Sequence, residues 1–383
     1  ADVIIDALFG AGLDRPIEGT AALVIAAANE GSAPVVAVDL PSGINGRDGS
    51  VLGTAIRADE TVTFFRRKPG HVLLPGRMFA GRVSVVDIGI EASALEAIRP
   101  TIFHNTPDLW RARYPRPRID AHKYDRGHTI VVSGPMAHTG AARLAARGAL
   151  RIGSGLVTVA APHDALAVHA AQLTAIMLLQ MDGPVDLSDI LRDERRNSVV
   201  MGPALGVGDR TKALVKAALE ADPAVVLDAD ALTSFSAEPT DLFKLIARRT
   251  VPTVLTPHAG EFARLFPDLA PKQSKVERTR AAAERSGAVV VLKGPDTIVA
   301  APNGLVAIAD NAPPDLATAG SGDVLAGIIA GLLAQGMPDL DAAAAGVWMH
   351  GAAARVAGRG LISEDLPEAL PGALTQMLRR SAE

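Results

Sequence analysis

Short apolar runs, each closing on a cluster of Gly, Pro, Ser or Asp, recur along the chain, and stretches of helical spacing lie between most of them. In the first hundred residues the runs are Val3–Ala7, Val35–Asp39, Thr61–Phe65 and Val83–Ile88, with a helical pattern over Ala21–Asn29. Further on they are Thr129–Ser133, Leu156–Ala160, Ser198–Met201, Val225–Asp228, Thr253–Thr256 and Val289–Lys293. Helical patterns between these include Gly140–Ile152, Arg210–Glu220 and Asp241–Arg248. The alternation predicts an α/β protein with doubly wound, mostly parallel sheets. Thr297–Ala301 and Leu305–Ala309 flank Pro302-Asn303-Gly304, a hairpin signal. Between the two sets, Pro100, Pro107, Pro115 and Pro117 preclude a long regular element. The expected division is 1–95, a linker at 96–120 that Trp110 and Tyr114 pin against one domain, and 121–383.

The stretch Asn311–Gly331 organises the second part. Small residues from Ala317 to Gly322 lead into Asp323, and Val324, Leu325, Ile328, Ile329, Leu332 and Leu333 repeat as in a buried helix. Gly320–Asp323 is expected at that helix's N-terminus, where unpaired N–H groups and the dipole favour phosphate. Gly320, Ser321 and Gly322 then form an anion hole, and Asp323, a carboxylate of ordinary pKa, takes the proton of a hydroxyl being phosphorylated. The competing reading is a tight loop with an Asp in an ordinary first turn.

Most strand ends carry further polar clusters, and ligands of open α/β sheets collect at that edge. Here these are Ser133-Gly134, Gly202–Gly206, Asp228-Ala229-Asp230, Pro257–Glu261 and Lys293–Thr297. No Walker A loop is present, so nucleotide would be held by loops such as Lys293–Thr297, the lysine meeting phosphate as a point charge. Of Asp228 and Asp230, one is expected to reach a magnesium-bound water and the other to cap a turn; the residues do not say which. The histidines lack metal spacing, but His258 sits in a strand-end loop beside Glu261, where a neutral imidazole can hydrogen-bond a substrate. In the first part, Gly10-x-Gly12 lacks the third glycine of a dinucleotide fingerprint. Asp39 ends a strand, and Arg66-Arg67-Lys68 reads as a solvated basic loop.

Composition narrows the class. The 383 residues are 48% hydrophobic with a net charge of −4, which gives no electrostatic case for nucleic acid or an anionic membrane. There are no cysteines, which excludes disulfides and thiolate chemistry. No apolar run reaches the ~18 residues of a membrane span. A soluble cytoplasmic protein is expected. The chain opens at Ala1 with Asp2–Asp6 already a buried-strand pattern, so an earlier part of that domain is expected outside this sequence.

Two families carry these motifs. DALFGAGLDRP, VDLPSGINGRDG and TVTFFRRKPG resemble the second half of the NAD(P)H-hydrate epimerase domain, which is Rossmann-like. That resemblance implies that Gly10, Ala11, Gly12, Leu13, Asp14, Arg15 and Pro16 line the hydrated nucleotide. It also implies that Asp39 touches it near the epimerising carbon, and that Asp6 and Ser42 help hold potassium. The family's Asn- and Gly-rich phosphate loop lies upstream of this half, so a partial epimerase domain is expected. HKYDRGH, GPMAHTGAA, GPALG, DADAL, TPHAGEFARL, LKGPDT and ATAGSGDVLAGIIAGLLAQG resemble, in order, the ADP- or ATP-dependent NAD(P)H-hydrate dehydratases of the ribokinase-like fold.

That second resemblance implies adenine nucleotide on Lys293, Gly294, Pro295, Asp296, Thr297 and Gly322. It places the S-hydrate on Ala141, Gly206, His258 and Asp323, with Asp323 catalytic and Mg²⁺ on the phosphates. The implied partners are NADHX or NADPHX and ADP or ATP. Ala204 and Ala319 stand where glycine is usual, and His350-Gly351-Ala352-Ala353-Ala354 lacks the usual Gly-Asp continuation, so altered loop fit is expected. A kinase of a small vitamin alcohol and a non-catalytic nucleotide-binding protein are the alternatives. The Ala-rich helix Ala342–Ala354 offers a face to a neighbouring subunit, and a homo-oligomer is expected.

Overall fold

The computed structural model describes residues 2–269 and 274–379. The chain divides into two compact units, one formed chiefly by residues up to His104 and the other by the chain from Asn105 on. In the first, strands β1 (Ile4–Asp6), β2 (Val35–Val38), β3 (Glu60–Phe64) and β4 (Arg82–Val86) pair in parallel in sequence order. Burial alternates along β2 and β3, as in strands covered on one face. The fully buried strand expected over Asp2–Asp6 is not found: Asp6 is buried, but Ile5 is 60% exposed. A short strand, β5 (Ile102–His104), closes this stretch of chain.

The second unit holds β6 (His128–Val132), β7 (Leu156–Ala161), β8 (Met177–Gln180), β9 (Ser198–Met201), β10 (Ala224–Leu227), β11 (Thr253–Leu255), β12 (Val289–Leu292), β13 (Thr297–Ala300) and β14 (Val306–Ala309). Their order is β14-β13-β12-β11-β10-β9-β6-β7-β8. All neighbours are parallel except the β12–β13–β14 meander, whose last turn carries Asn303-Gly304. Every residue of β6 and of β9 to β14 is buried. Their unbroken apolar runs follow from helices covering both faces. From β6 the chain winds outward through β7 and β8, then returns to place β9 on β6's other side. The resulting crevice beyond the ends of β6 and β9 is a topological switch point, the usual place for a ligand.

Helix Ser321–Ala334 lies on β6, β9 and β10 and packs along helix Gly140–Ile152. Glycines make that crossing close. A Cβ at 148 would lie 2.8 Å from the Val324 carbonyl, one at 331 would lie 2.8 Å from the Ala149 carbonyl, and one at 327 would overlap the Ala145 carbonyl outright. Both helices therefore begin side by side at the sheet's carboxyl edge.

Residues 105–114 pack on the second unit. Trp110 is fully buried, edge-on to Trp348, and its indole N–H donates to Asn105 Oδ1 at 3.1 Å. Helix Asp339–Ala357 buries Ala342–Ala345 completely within its own subunit. Those alanines are core, and the intersubunit face expected of them is not there. Edge strand β8, mostly exposed and four residues long, carries no periodicity that marks it in the sequence. Among the described residues no helix is long and apolar enough to cross a membrane.

Gly327→Ala is expected to destabilise the second unit by at least about 2 kcal/mol, because backbone of the facing helix has to retreat. Urea unfolding measures this, and an unchanged midpoint would show that the crossing is not tight.

Candidate functional site

At the start of helix Ser321–Ala334, Gly320 adopts φ +85°, a left-handed conformation that suits glycine. Ser363 Oγ donates to the Ala319 carbonyl at 2.5 Å, and the Asp323 N–H closes on the Gly320 carbonyl at 3.1 Å. The Ser321 N–H turns back on Thr318 O at a long 3.4 Å. Gly320 and Gly322 N–H groups have no acceptor among the described residues, which leaves two amide donors at the positive end of the helix. A Cβ at 322 would stand 3.4 Å from Lys293 Nζ and 3.8 Å from Asp228 Oδ2, so this turn faces those two charges directly.

Asp228, at the end of β10, is almost wholly buried and accepts from Lys293 Nζ at 2.6 Å. Burial alone would lower the Lys293 ammonium. Asp228 first, then Glu261 and Asp323, outweigh burial and hold it above its ordinary value. Asp323 receives the opposite treatment. Burial, then the Asp228 charge, push it up to about 6, and Lys293 offsets this only in part. The ordinary carboxylate expected at 323 is therefore replaced by one that titrates near neutrality, because its lysine is already committed to another acid.

Loop residues complete the edge. Asp230 accepts the Gly206 N–H at 2.9 Å, so of the two aspartates Asp228 faces the charged cluster and Asp230 braces a loop. His258 caps helix Ala259–Leu265. Its Nδ1 accepts from the Gly260 and Glu261 amides at 2.9 and 3.3 Å, and buried Glu261 returns the bond to the His258 N–H at 2.8 Å. Nδ1 is thus an acceptor, and Nε2, the ring's other nitrogen, lies 3.4 Å from Glu261 Oε1. His258 also forms a parallel bridge with Lys293, whose N–H donates to Pro257 O at 2.9 Å. After Lys293 the loop closes through Thr297 Oγ1, which donates to Gly294 O at 2.7 Å. Asp296 is buried and Pro295 exposed. Ala141 is the second residue of helix Gly140–Ile152. Ala204 takes φ +58°, a conformation costly for alanine, so the loop keeps the shape a glycine would adopt.

In the first unit, Asp39 sits at φ +69° just past β2. Thr63 Oγ1 donates to its carboxylate at 3.0 Å, and Lys68 Nζ pairs with it. Burial would raise this carboxyl, but the Lys68 and Thr63 hydrogen bonds outweigh it and hold Asp39 below the usual range. Lys68 therefore departs from the solvated loop expected of Arg66-Arg67-Lys68. Its Nζ also donates to Thr63 Oγ1 at 2.9 Å, and nothing in the local sequence signals the pairing. Gly10, Ala11, Gly12, Asp14, Arg15 and Pro16 are exposed and Leu13 half-buried; a Cβ at Gly10 would stand 3.7 Å from Asp39 Oδ2. Buried Asp6 accepts from the Ser42 N–H at 2.7 Å and the Ser42 hydroxyl at 2.6 Å.

The profile of the NAD(P)H-hydrate dehydratase family matches residues 129–371, and that of the YjeF-related protein N-terminus matches residues 1–70. The chain is 37% identical to a bifunctional NAD(P)H-hydrate repair enzyme, Nnr, of Salinibacter ruber, over 96% of this chain and 70% of that protein. It belongs to that family. A second relative of the same name, from Moorella thermoacetica, is 38% identical over 98% of this chain and 73% of its own length. Among solved structures, the ADP/ATP-dependent NAD(P)H-hydrate dehydratase of Bacillus subtilis, co-crystallised with ATP and Mg²⁺, is similar with a TM-score of 0.62 at 28% identity. The match covers 72% of this chain and 98% of the Bacillus protein. A ribokinase-like superfamily protein of Enterococcus faecalis, 24% identical with a TM-score of 0.63 over 72% of this chain and 96% of its own, shares the fold.

Because Asp323 is raised from 3.8 to about 6 in the folded state, its contribution to stability is full below pH ~4 and lost as pH rises through about 6. Asp323→Asn is therefore expected to be more stable than the parent at pH 8 by about 1–3 kcal/mol, with the difference closing near pH 4. Thermal melts across that range decide it; equal curves would place the carboxylate in water.

Proposed function

We propose that this chain dehydrates S-NAD(P)HX to NAD(P)H with consumption of ATP or ADP and release of phosphate. The observation that carries the proposal is the Asp323 carboxylate on the first turn of a helix whose free amides face the Lys293–Asp228 pair. In this reading Lys293, Gly294, Pro295, Asp296, Thr297 and Gly322 hold the nucleotide. Ala141, Gly206, His258 and Asp323 contact the hydrate, His258 donating from Nε2. Gly320, Ser321 and Gly322 surround the transferring phosphoryl group, the Gly320 and Gly322 amides supplying the free donors.

Asp323 takes the proton of the ring hydroxyl as its oxygen bonds to the terminal phosphorus. The bond from phosphorus to the departing nucleotide breaks, its electron pair leaving as ADP or AMP. The C–O bond then breaks, phosphate departs with that electron pair, and the ring nitrogen's lone pair forms the iminium. Loss of the proton on the adjacent ring carbon restores the dihydronicotinamide. An acid near 6 is mostly ionised at pH 7 and still basic enough to share the proton in the transition state.

Among the described residues no group of three or more His, Asp or Glu is arranged for a metal. Asp228 is held by Lys293, so Mg²⁺ would be carried chiefly by the nucleotide's phosphates, whose charge it would neutralise. In the first unit we assign Gly10, Ala11, Gly12, Leu13, Asp14, Arg15, Pro16 and Asp39 to an NAD(P)HX-epimerising surface. The buried Asp6 carboxylate and Ser42 hydroxyl, with Phe9 O 3.2 Å from that hydroxyl, are hard oxygen donors that fit K⁺. We assign the protein to the cytoplasm, where these cofactors are used.

Hydrated NADH or NADPH, mixed with Mg²⁺, protein and ATP or ADP, is expected to regain dihydronicotinamide absorbance with equimolar free phosphate. A stable phosphorylated hydrate would instead make it a kinase, and no consumption of nucleotide would make it a binding protein. Asp323→Asn is expected to lower kcat by at least about 10³-fold with nucleotide affinity kept. The parent's kcat/KM should fall below pH ~6 as Asp323 becomes protonated; near-normal turnover of the variant removes Asp323 from the base role.

A further inference from the structure

In the first unit, the acid assigned to the epimerising surface stands on a strained turn. Asp39 has φ +69°, and the Leu40 N–H donates across it to the Val38 carbonyl at 2.9 Å. This is a γ-turn with a positive central φ, a rare and strained form. The neighbouring strand β3 ends in the same way. Phe65 has φ +62°, and the Arg66 N–H donates to Phe64 O at 2.7 Å. A backbone in this state persists only where its surroundings over-determine it.

The brace at Asp39 is His71, a buried histidine that the chemistry above leaves unused. Its Nε2 lies 2.7 Å from the Asp39 carbonyl oxygen, and the Lys68 backbone N–H donates to its Nδ1 at 2.9 Å. A carbonyl only accepts and an amide N–H only donates, so Nε2 carries the hydrogen and Nδ1 the lone pair. Burial, opposed by the bond to Asp39 and reinforced by the Lys68 ammonium, holds the ring below its ordinary value, so it is neutral at pH 7. One ring therefore grips the backbone of both members of the Asp39–Lys68 pair, and Lys68 Nζ closes the circuit on the carboxylate.

The ring is itself anchored. It ends the helical turn Pro69–His71, whose Gly70 N–H donates to Gly46 O at 3.0 Å. A Cβ at 70 would stand 2.6 Å from Asn45 O, and one at 46 would stand 3.3 Å from Ala11 O. The base of the clamp thus rests, through Gly46, on the 10–16 loop that forms the rest of the same surface.

We propose that His71 is a positioning residue for the epimerising site, its Nε2–H holding the Asp39 carbonyl so that the strained turn presents the carboxylate to the hydrate. Without that bond the turn relaxes toward an ordinary backbone conformation, which swings the side chain and loosens its pairing with Lys68. Misplacing a reacting or orienting group by about 1 Å slows the chemistry far more than it weakens binding.

The inference rests on the epimerase reading of the first unit, and the titration of Asp39 tests it without turnover. His71→Gln keeps a donor where Nε2 stands. His71→Asn places its amide where Nδ1 stands and leaves the Asp39 carbonyl unbonded, and His71→Leu removes both ties. The full chain is assayed without ATP or ADP, so that the second unit consumes no hydrate. One reading is the interconversion of R- and S-NADHX above the uncatalysed rate; the other is the Asp39 carboxyl titration followed by carbon NMR. In the Asn and Leu variants kcat is expected to fall about 10–30-fold with KM within about threefold, and Asp39 to titrate closer to the ordinary carboxylate range than in the parent. Gln should keep kcat within about threefold and leave the Asp39 titration unchanged. The same Asp39 titration in Asn and Gln, or a parent-like kcat in Asn, overturns the inference. So does a loss of kcat and KM that merely follows the melting temperature. If Leu does not fold, the Asn–Gln pair decides. A parent protein that does not interconvert the hydrates sinks the epimerase reading, while the Asp39 titrations still judge the role of His71.

Discussion

Two helices meeting through glycine set the geometry of the second unit. Gly148, Gly327 and Gly331 bring helix Gly140–Ile152 and helix Ser321–Ala334 together until side chains of one rest on backbone of the other. Interiors this dense do not deform continuously, so both helix starts are fixed together at the end of the sheet. Ala141 lies at the start of one, and Gly320, Ser321, Gly322 and Asp323 at the start of the other. Fixing one thereby positions the other. The same crossing accounts for helix Ser321–Ala334 being buried on every side from Val324 on, a pattern that ordinary amphipathic helices lack.

Charge at this edge is arranged by unequal pairing. Lys293 is shared among Asp228, Glu261 and Asp323, but it makes its short bond to Asp228 alone. A buried ammonium with one committed partner leaves a second carboxylate nearby only partly compensated, and desolvation then dominates. In the first unit Lys68 is committed to Asp39, the acid proposed to meet substrate, and holds it ionised. A lysine's choice of partner thus bears on acidity in both units: the paired Asp39 is held down, and the unpaired Asp323 is pushed up. An acid held fully ionised suits orienting and electrostatic work, whereas one near 6 suits taking a proton at neutral pH.

What the sequence makes legible is what local rules control. Parallel strands buried on both faces have to read as unbroken valine runs, as in Val289–Leu292, and a buried helix with Gly320–Asp323 at its start carries its own spacing. The Asn303-Gly304 turn announces its hairpin because few other residues tolerate its geometry. Pairings across long separations leave no such trace. Asp228 and Lys293 lie 65 residues apart and Asp39 and Lys68 lie 29 apart, so nothing adjacent to either lysine predicts its acid. The acidity of Asp323 depends on burial and on that distant choice of partner, which is why an ordinary carboxylate is the natural expectation from sequence. Ala342–Ala345 is ambiguous for another reason: small residues permit close packing without saying whether the neighbour is the same subunit or another.

The departures from the expected glycine pattern show how a loop keeps its backbone directions where a glycine is replaced. Ala204 keeps the left-handed backbone at φ +58°, paying strain of about 1 kcal/mol, and the adjoining Gly206 amide still reaches Asp230. Ala319 leaves its carbonyl to Ser363, which anchors the turn from outside. Backbone groups here are held by side chains from elsewhere in the chain, the Ala319 carbonyl by Ser363 and the Gly206 amide by Asp230. A substitution on this edge is tolerated when the carbonyl and amide directions survive it, whatever happens to the residue's own side chain.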